Sequence, residues 1–312
     1  MKVTAFAPAT VANVAVGFDI LGFSFSVTGD EVTLEKIPDR KIILDSIMNF
    51  KGENFNLPLN VEENTATAGI LKMMSDHNLD FGFKVKIKKG IPMGSGIGGS
   101  AASAVAGVVA ANAFLKQSLS AQELLAYALI GESIASGASH ADNVAPCLYG
   151  GLTLLGENDH VTSIPIPEGL ACVILLPNLK IETKQARAIL QKEILHSSYV
   201  KQSKNLAGFI AGCFKSDWAL LKKSVSDVIV EPQRAQLVPG FYDIQKAAVD
   251  AGALGSSFSG SGPAMFALVQ GLDMAKQVEL EMQKAASRNN LLFQSWSALL
   301  SQERCSVVVG RH

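Results

Sequence analysis

The residues with the clearest chemical potential lie between Lys89 and Leu115, KGIPMGSGIGGSAASAVAGVVAANAFL. Gly94, Gly96, Gly98 and Gly99 open a backbone path that residues bearing a Cβ follow poorly, and Ser100 stands where the N-cap of an Ala/Val-rich helix is expected. Free N–H groups at a helix start, together with the positive end of the helix dipole, favour a phosphate, and glycine lets a pyrophosphate approach closely. The stretch reads as an anion site without naming the anion.

Gly94, Gly96 and Gly99 formally satisfy GxGxxG, the mark of a nicotinamide-dependent oxidoreductase. That motif is followed about twenty residues later by an acid ending the next strand, whereas here the region near Leu119 begins another helix. No Gly-Lys-Ser/Thr closes a Walker loop, and there is no GxSxG elbow, HExxH helix or zinc-like spacing. What remains is a phosphate loop with serine hydroxyls but no lysine of its own, which needs a metal ion to neutralise a transferring phosphoryl group. Ser100 is a candidate Mg2+ ligand, and Glu132 is the nearest downstream carboxylate that a helix could aim back at it; a surface or capping role is the alternative for Glu132.

Other polar residues gather in two glycine-bounded stretches, Pro8 to Gly22 (PATVANVAVGFDILG) and Ser136 to Gly151 (SGASHADNVAPCLYGG). Taken locally, Asn13 and Asp19 are turn formers and His140 caps a turn. Arg187 lies on a solvated helix face, and Arg234 pairs with Glu231.

The elements that must carry these residues follow from periodicity. Residues 2–7, 31–37 and 41–45 read as strands, and Phe83 to Lys89 alternates Phe83, Val85 and Ile87 against Lys84, Lys86 and Lys88, a half-exposed strand leading into the glycine loop. Helices are expected from Ala101 to Leu115, at 64–77 with Asn64 or Thr65 as cap, and after the Ser120–Glu123 capping box. The stretch 8–22 is expected to break regular structure and 136–151 to be a loop. Charges and three prolines at 157–168 suggest a connection between two units, 1–160 and 161–312. Beyond it the pattern is α+β: a strand at 171–176, helices at 183–195 (Thr183 as cap), within 199–226, at 241–251 and at 272–287, a glycine-rich turn before a strand at 264–269, and a strand at 306–309.

PMGSGIGGSAAS resembles the phosphate loop of the GHMP small-molecule kinases, usually written PxGxGLGSSAA. Pro8 to Gly22, HADNVAPCLYGG (His140 to Gly151), VEPQRAQLVPGF (Val230 to Phe241) and SGSGP (Ser259 to Pro263) are similar, in order and over nearly the whole chain, to the homoserine-phosphorylating members of that family. The resemblance implies the two-domain GHMP α+β fold, with an N-terminal ribosomal-S5-like and a C-terminal ferredoxin-like domain. It implies ATP-dependent phosphorylation of the L-homoserine side-chain hydroxyl, with ATP and Mg2+ bound and a homodimer as the assembly. Position by position, it implies that Asn64 and Thr65 lie near the adenine and that Pro92 and Met93 lead into the turn. Gly94, Ser95, Gly96, Ile97, Gly98, Gly99, Ser100, Ala101 and Ala102 would wrap the triphosphate, and Ser100 with Glu132 would hold Mg2+. Asn13, Asp19, His140, Asn143, Thr183, Arg187 and Arg234 would line the homoserine site.

Homoserine offers an ammonium, a carboxylate and a hydroxyl, so its site needs an acid, cations and hydrogen-bonding groups. Within that frame Asp19 suits the ammonium, Arg234 with His140 the carboxylate, and Asn143 and Arg187 the hydroxyl and the γ-phosphate. No obligatory general base is expected, although Asp142 is close in sequence. Gly99 stands where the family pattern has its first serine. Another small-alcohol kinase and a GHMP-like binding protein without catalysis are the competing readings.

Composition agrees with a small-molecule enzyme. With 312 residues, 48% of them apolar, the chain can bury a substantial core. A net charge of −1 gives no general attraction to nucleic acid or to an anionic membrane. Cys147, Cys172, Cys213 and Cys305 form no CxxC pair and suit a reduced cytoplasm, and the N-terminus shows no signal-peptide pattern. Gly90 to Leu115 is uncharged, but only its second half is apolar helix, too short to span a bilayer.

Overall fold

Period-2 burial organises both halves of the molecule. The computed structural model describes residues 1–54, 60–136 and 140–308. In chain order its elements are β1 (Lys2–Ala12), β2 (Leu21–Ile37), β3 (Ile42–Asn49), α1 (Thr65–Asp76), β4 (Gly82–Lys89), α2 (Gly99–Asn112), α3 (Ala121–Ser136), α4 (Ala141–Tyr149), β5 (Leu152–Leu155), β6 (Val161–Ile164) and β7 (Leu170–Pro177). There follow α5 (Thr183–Ala188), α6 (His196–Lys215), α7 (Trp218–Ser224), α8 (Glu231–Arg234), α9 (Phe241–Asp250), β8 (Gly255–Phe258), β9 (Met265–Gln270), α10 (Leu272–Arg288), β10 (Phe293–Leu299) and β11 (Ser306–Val307).

The first sheet runs β11-β1-β2-β4-β3, with β5 and β6 attached to β2. Phe83, Val85 and Ile87 of β4 are buried, while Lys84 and Lys86 reach Asp45 of β3 at 3.0 and 3.4 Å, so most of the lysine face is solvated as its period requires. α2 is apolar all round and lies buried between the sheet and helices α1, α3 and α4. The second sheet is antiparallel, order β10-β7-β9-β8, with α9 and α10 on one face. Central strand β7 joins the two layers. Cys172, Ile174 and Leu176 face the core of the first sheet, and Ala171, Val173 and Leu175 face α9 and α10. Each fully buried Val, Leu or Ile contributes about 1.5–3 kcal/mol, so β7 stabilises both layers.

Several expectations need correction. Strand β1 continues through Pro8 to Ala12, because the pairing register with β2 shifts between Pro8 and Ala9, and an irregular position tolerates the missing N–H. The expected loop after His140 is helix α4, with Pro146 inside it; residues 137–139 of that stretch lie outside the described residues. The helix expected at 183–195 is only the six-residue α5, and its N-cap is Glu182, not Thr183. Strands β8 and β10 lack a clear sequence signal. The connection at 157–168 contains β6 of the first sheet, and β11 returns to that sheet beside β1. The α+β class holds. No described helix is long and apolar enough to cross a membrane, and the four cysteines are free and buried.

Candidate active site

The phosphate loop links β4 to α2. Gly94, Gly96 and Gly98 have φ of 65, 79 and 73°. Gly98 is the N-cap of α2 in left-handed conformation, so the helix starts two residues earlier than Ser100 would have set it, and Ser100 is its second residue. A Cβ on Gly98 would lie 2.0 Å from Thr10 Oγ1 and 2.9 Å from Asn143 Oδ1, and one on Gly96 would meet the Gly262 carbonyl at 2.6 Å. The first N–H groups of α2 have no intrahelical acceptor, which leaves them for an anion. The second half of the chain braces this turn. Ser259 Oγ donates to the Gly96 carbonyl at 2.8 Å and the Ala264 N–H to the Ser95 carbonyl at 3.1 Å.

Beneath the loop is a cation that periodicity could have revealed. Lys89 shares the face of Phe83, Val85 and Ile87 and is 5% exposed. Its ammonium pairs with Asp30 and donates to the Gly99 carbonyl at 2.7 Å and to Ser103 Oγ at 2.8 Å. Asp30, 0% exposed, also accepts from the Gly90 and Ile91 N–H groups at 3.0 and 3.2 Å and from Ser103 Oγ at 2.8 Å. One carboxylate thus ties β2 to the entry of the loop and to the first turn of α2. Gly99, where the family pattern has serine, packs on this group: a Cβ there would meet Ile91 Cγ2 at 3.0 Å and Lys89 Nζ at 3.7 Å.

Glu132 of α3 accepts a hydrogen bond from the Ser100 side chain. Burial, and secondarily Asp142, pushes its pKa up to about 7 against the opposing effect of that bond. Asp142 is likewise held at about 7 by burial and then by the charge of Asp19.

The acceptor end is built on irregular backbone. Asn13 (φ 70°) and Asp19 (φ 63°) are left-handed, and Asn13 closes the turn by accepting the Asp19 N–H at 2.9 Å while its amide donates to the Gly260 carbonyl at 2.9 Å. It is a turn former, and it also faces the cavity. Arg187 grips Asp19 with two bonds, Nη1 to Oδ2 at 3.0 Å and Nη2 to Oδ1 at 2.6 Å, so it is not on the solvated face that local reading suggested. His140 Nδ1 lies 4.0 Å from Asp19 Oδ2; burial and Arg187 lower its pKa, which keeps the ring neutral at pH 7. Arg234, 2% exposed, does not pair with Glu231. It donates to the Ala186 carbonyl at 3.0 Å and the Gly260 carbonyl at 3.1 Å, while Glu231 accepts from Ser257 and Gln245. Burial, then the neighbouring Arg187, lowers the Arg234 pKa to about 10. Both guanidinium groups lie 5.4 Å from the ring of Phe18.

These groups share one cavity of about 600 Å3. Its lining includes Asn13, Asp19, Thr65, Pro92, Met93, Gly94, Ser95, Gly96, Gly98, Gly99, Ser100, Glu132, His140, Asn143, Thr183, Arg187 and Arg234. Four candidates do not line it: Asn64, whose side chain caps α1, and the buried Ile97, Ala101 and Ala102 behind the loop. Lys89, Phe18, Asp142 and Ser261 line the cavity although sequence reasoning gave them no place in the site; for Phe18 and Ser261 there was no local signal.

Two family models match, GHMP kinases N terminal domain over residues 64–151 and GHMP kinases C terminal over 209–288. The homoserine kinase of Xylella fastidiosa is 42% identical over 292 residues, 94% of this chain and 89% of that protein. That of Chloroherpeton thalassium is 39% identical over 315 residues, 97% and 98% of the two chains. The crystal structure of homoserine kinase from Cytophaga hutchinsonii superimposes with a TM-score of 0.94 at 41% identity, covering 98% of this chain and 97% of that one. The chain belongs to the GHMP kinases, in the homoserine kinase branch of that family.

Proposed function

We infer that this chain transfers the γ-phosphoryl group of ATP to the side-chain hydroxyl of L-homoserine, giving O-phospho-L-homoserine for threonine synthesis. The observation that carries this reading is one cavity in which the phosphate loop meets Asp19, Asn143, Arg187 and Arg234, in a chain similar to homoserine kinases along nearly its whole length.

In this reading the loop N–H groups and the start of α2 bind the triphosphate, with Asn64 and Thr65 toward the adenine. Ser100 and Glu132 would hold Mg2+. They fit, because a hydroxyl and a nearly buried carboxylate within hydrogen-bond reach are hard oxygen donors, and Mg2+ takes one or two protein oxygens and completes its shell with phosphates and water. Bound there, the ion would supply charge neutralisation at the β- and γ-phosphates. The homoserine ammonium replaces the Arg187 guanidinium at Asp19, which frees Arg187 to offset charge on the transferring group. Arg234 receives the carboxylate, with the neutral His140 as a hydrogen-bonding neighbour. Asn143 orients the hydroxyl, Asn13 shapes the turn that presents Asp19, and Thr183 closes the side near Ser261, whose hydroxyl is 3.4 Å away.

A loose transition state lets positioning and charge do most of the work, and the hydroxyl proton needs no obligatory base. Loss of turnover in Asp142→Asn, with both substrates bound and the fold intact, would overturn that part. The reading as a whole is tested by ADP release with homoserine, mevalonate and glycerol as acceptors: homoserine alone should stimulate it, and its failure to do so sinks the assignment. Removal of Mg2+ with EDTA should abolish turnover. The family resemblance also supports a cytoplasmic homodimer with domains at 1–160 and 161–312, which light scattering and limited proteolysis would test.

A further inference from the structure

Thr10 belongs to none of the groups assigned above, yet it stands between the two ends of the site. It lies on β1, 0% exposed. Its backbone N–H donates to the Ile97 carbonyl of the phosphate loop at 3.2 Å, and its Oγ1 donates to Asn143 Oδ1 at 2.7 Å. Gly98, the cap of α2, approaches so closely that a Cβ there would sit 2.0 Å from the same hydroxyl. One buried side chain thus touches the loop that cradles phosphate and the amide that faces the acceptor.

The chemistry of the amide makes this contact consequential. Rotating an asparagine side chain by half a turn exchanges its acceptor and its donors with almost no change in shape. Of the reacting groups expected beside Asn143, the phosphoryl oxygens only accept hydrogen bonds, and the hydroxyl oxygen must present a lone pair for attack. An amide that turned its oxygen inward would repel the phosphoryl oxygens and could take only the hydroxyl proton. The Thr10 hydroxyl donates to Oδ1, and among the described residues no acceptor is bonded to Nδ2, so both amide hydrogens remain for the cavity that Asn143 lines.

We propose that Thr10 is a positioning residue for phosphoryl transfer: its hydroxyl fixes the Asn143 amide with the nitrogen toward the reacting oxygens and keys that orientation to the seating of the phosphate loop. The proposal rests on the role of Asn143 given above. Valine keeps the β-branched shape of threonine but removes the donor, and it leaves Oδ1 buried without its partner.

The experiment compares Thr10→Val, Thr10→Ser, Asn143→Ala and Thr10→Val with Asn143→Ala, measuring kcat and each KM in the ADP-release assay, with thermal melts as a fold control. Thr10→Val should lower kcat about tenfold to a hundredfold, the scale of a misplaced reacting group, with both KM values changed less than about threefold. Thr10→Ser should restore kcat, and in the Asn143→Ala background the valine should have no further effect. Should Thr10→Val not fold, Thr10→Ala in its place makes the same comparison. If Asn143→Ala turns over like the parent, the assumed role of Asn143 is wrong. If Asn143→Ala is slow but Thr10→Val is not, or if Thr10→Ser is as slow as Thr10→Val, or if the two losses simply add, the positioning role of Thr10 is refuted.

Discussion

Lys89→Met tests whether the ion pair under the phosphate loop is integral to that loop. Methionine fills much of the same volume but removes the charge opposite Asp30, a carboxylate with 0% exposure. Breaking one side of a buried pair costs about 3–5 kcal/mol, because the remaining charge is left uncompensated. Asp30 would keep three hydrogen bonds, from the Gly90 and Ile91 N–H groups and from Ser103, which places the expected loss at the lower end, about 3 kcal/mol. Urea unfolding at pH 7.5 reads this directly. Asp30→Asn added to Lys89→Met removes the stranded charge and should recover part of the loss. Because the Gly99 carbonyl loses its partner as well, the KM for ATP should rise more than that for homoserine. A stability change below about 0.5 kcal/mol, or a double variant no more stable than Lys89→Met alone, would refute this account of the loop's support.

Three further outcomes follow from named contacts. Gly98→Ala places a Cβ 2.0 Å from Thr10 Oγ1 at a φ of 73°; left-handed strain alone costs about 1–2 kcal/mol, so ADP affinity measured by calorimetry should fall at least about tenfold, and unchanged affinity would contradict the loop geometry. Arg187→Lys replaces two bonds to Asp19 by a single point charge and should lower kcat with homoserine more than about tenfold while leaving ADP affinity nearly constant; equal turnover would mean that the guanidinium plane is immaterial. Glu231 has its pKa raised from 4.5 to about 7, by burial above all. A carboxyl whose folded-state pKa is raised contributes most below pH 4.5 and loses that contribution as pH climbs toward 7, a span worth about 3 kcal/mol. Urea titrations should therefore show stability falling between about pH 4.5 and pH 7, and Glu231→Gln should flatten that fall; parallel profiles for the two proteins would exclude Glu231 as its source.

What was legible in the sequence were the devices that work over a few residues. The four glycines of the phosphate loop, the Asn64 cap and the Ser120–Glu123 box each declare themselves locally, and Asn64 Oδ1 does accept the Ala66 N–H at 3.0 Å while Ser120 and Glu123 bond reciprocally. Asp19 and Arg187, 168 residues apart, carry no such signal, and only the family resemblance brought them together. Lys89 lay within reach of the period-2 rule, two residues beyond Ile87, but the alternation was followed only as far as Lys88. Helix α4 was mistaken for a loop because Asn143, Pro146 and the flanking glycines are turn residues elsewhere; here packing of Val144, Cys147 and Leu148 into the core overrides those preferences. Thr10 fell in the stretch 8–22 that was expected to break regular structure, and nothing in a threonine announces the partner it will meet 133 residues later.

Strand β1, which carries Thr10, is bounded on its outer side by β11, where Ala5 faces Val307 and Phe6 faces Ser306, and the Cys305 N–H reaches back to the Cys147 carbonyl of α4. During translation, therefore, β1 leaves the ribosome long before its neighbour on that side exists. The nascent chain can pair β1 with β2 early, but the edge stays open until residues 305–308 emerge and dock. Final annealing of the sheet therefore waits for residues 305–308, so a ribosome stalled before that point should display β1 as an accessible edge to proteases and chaperones.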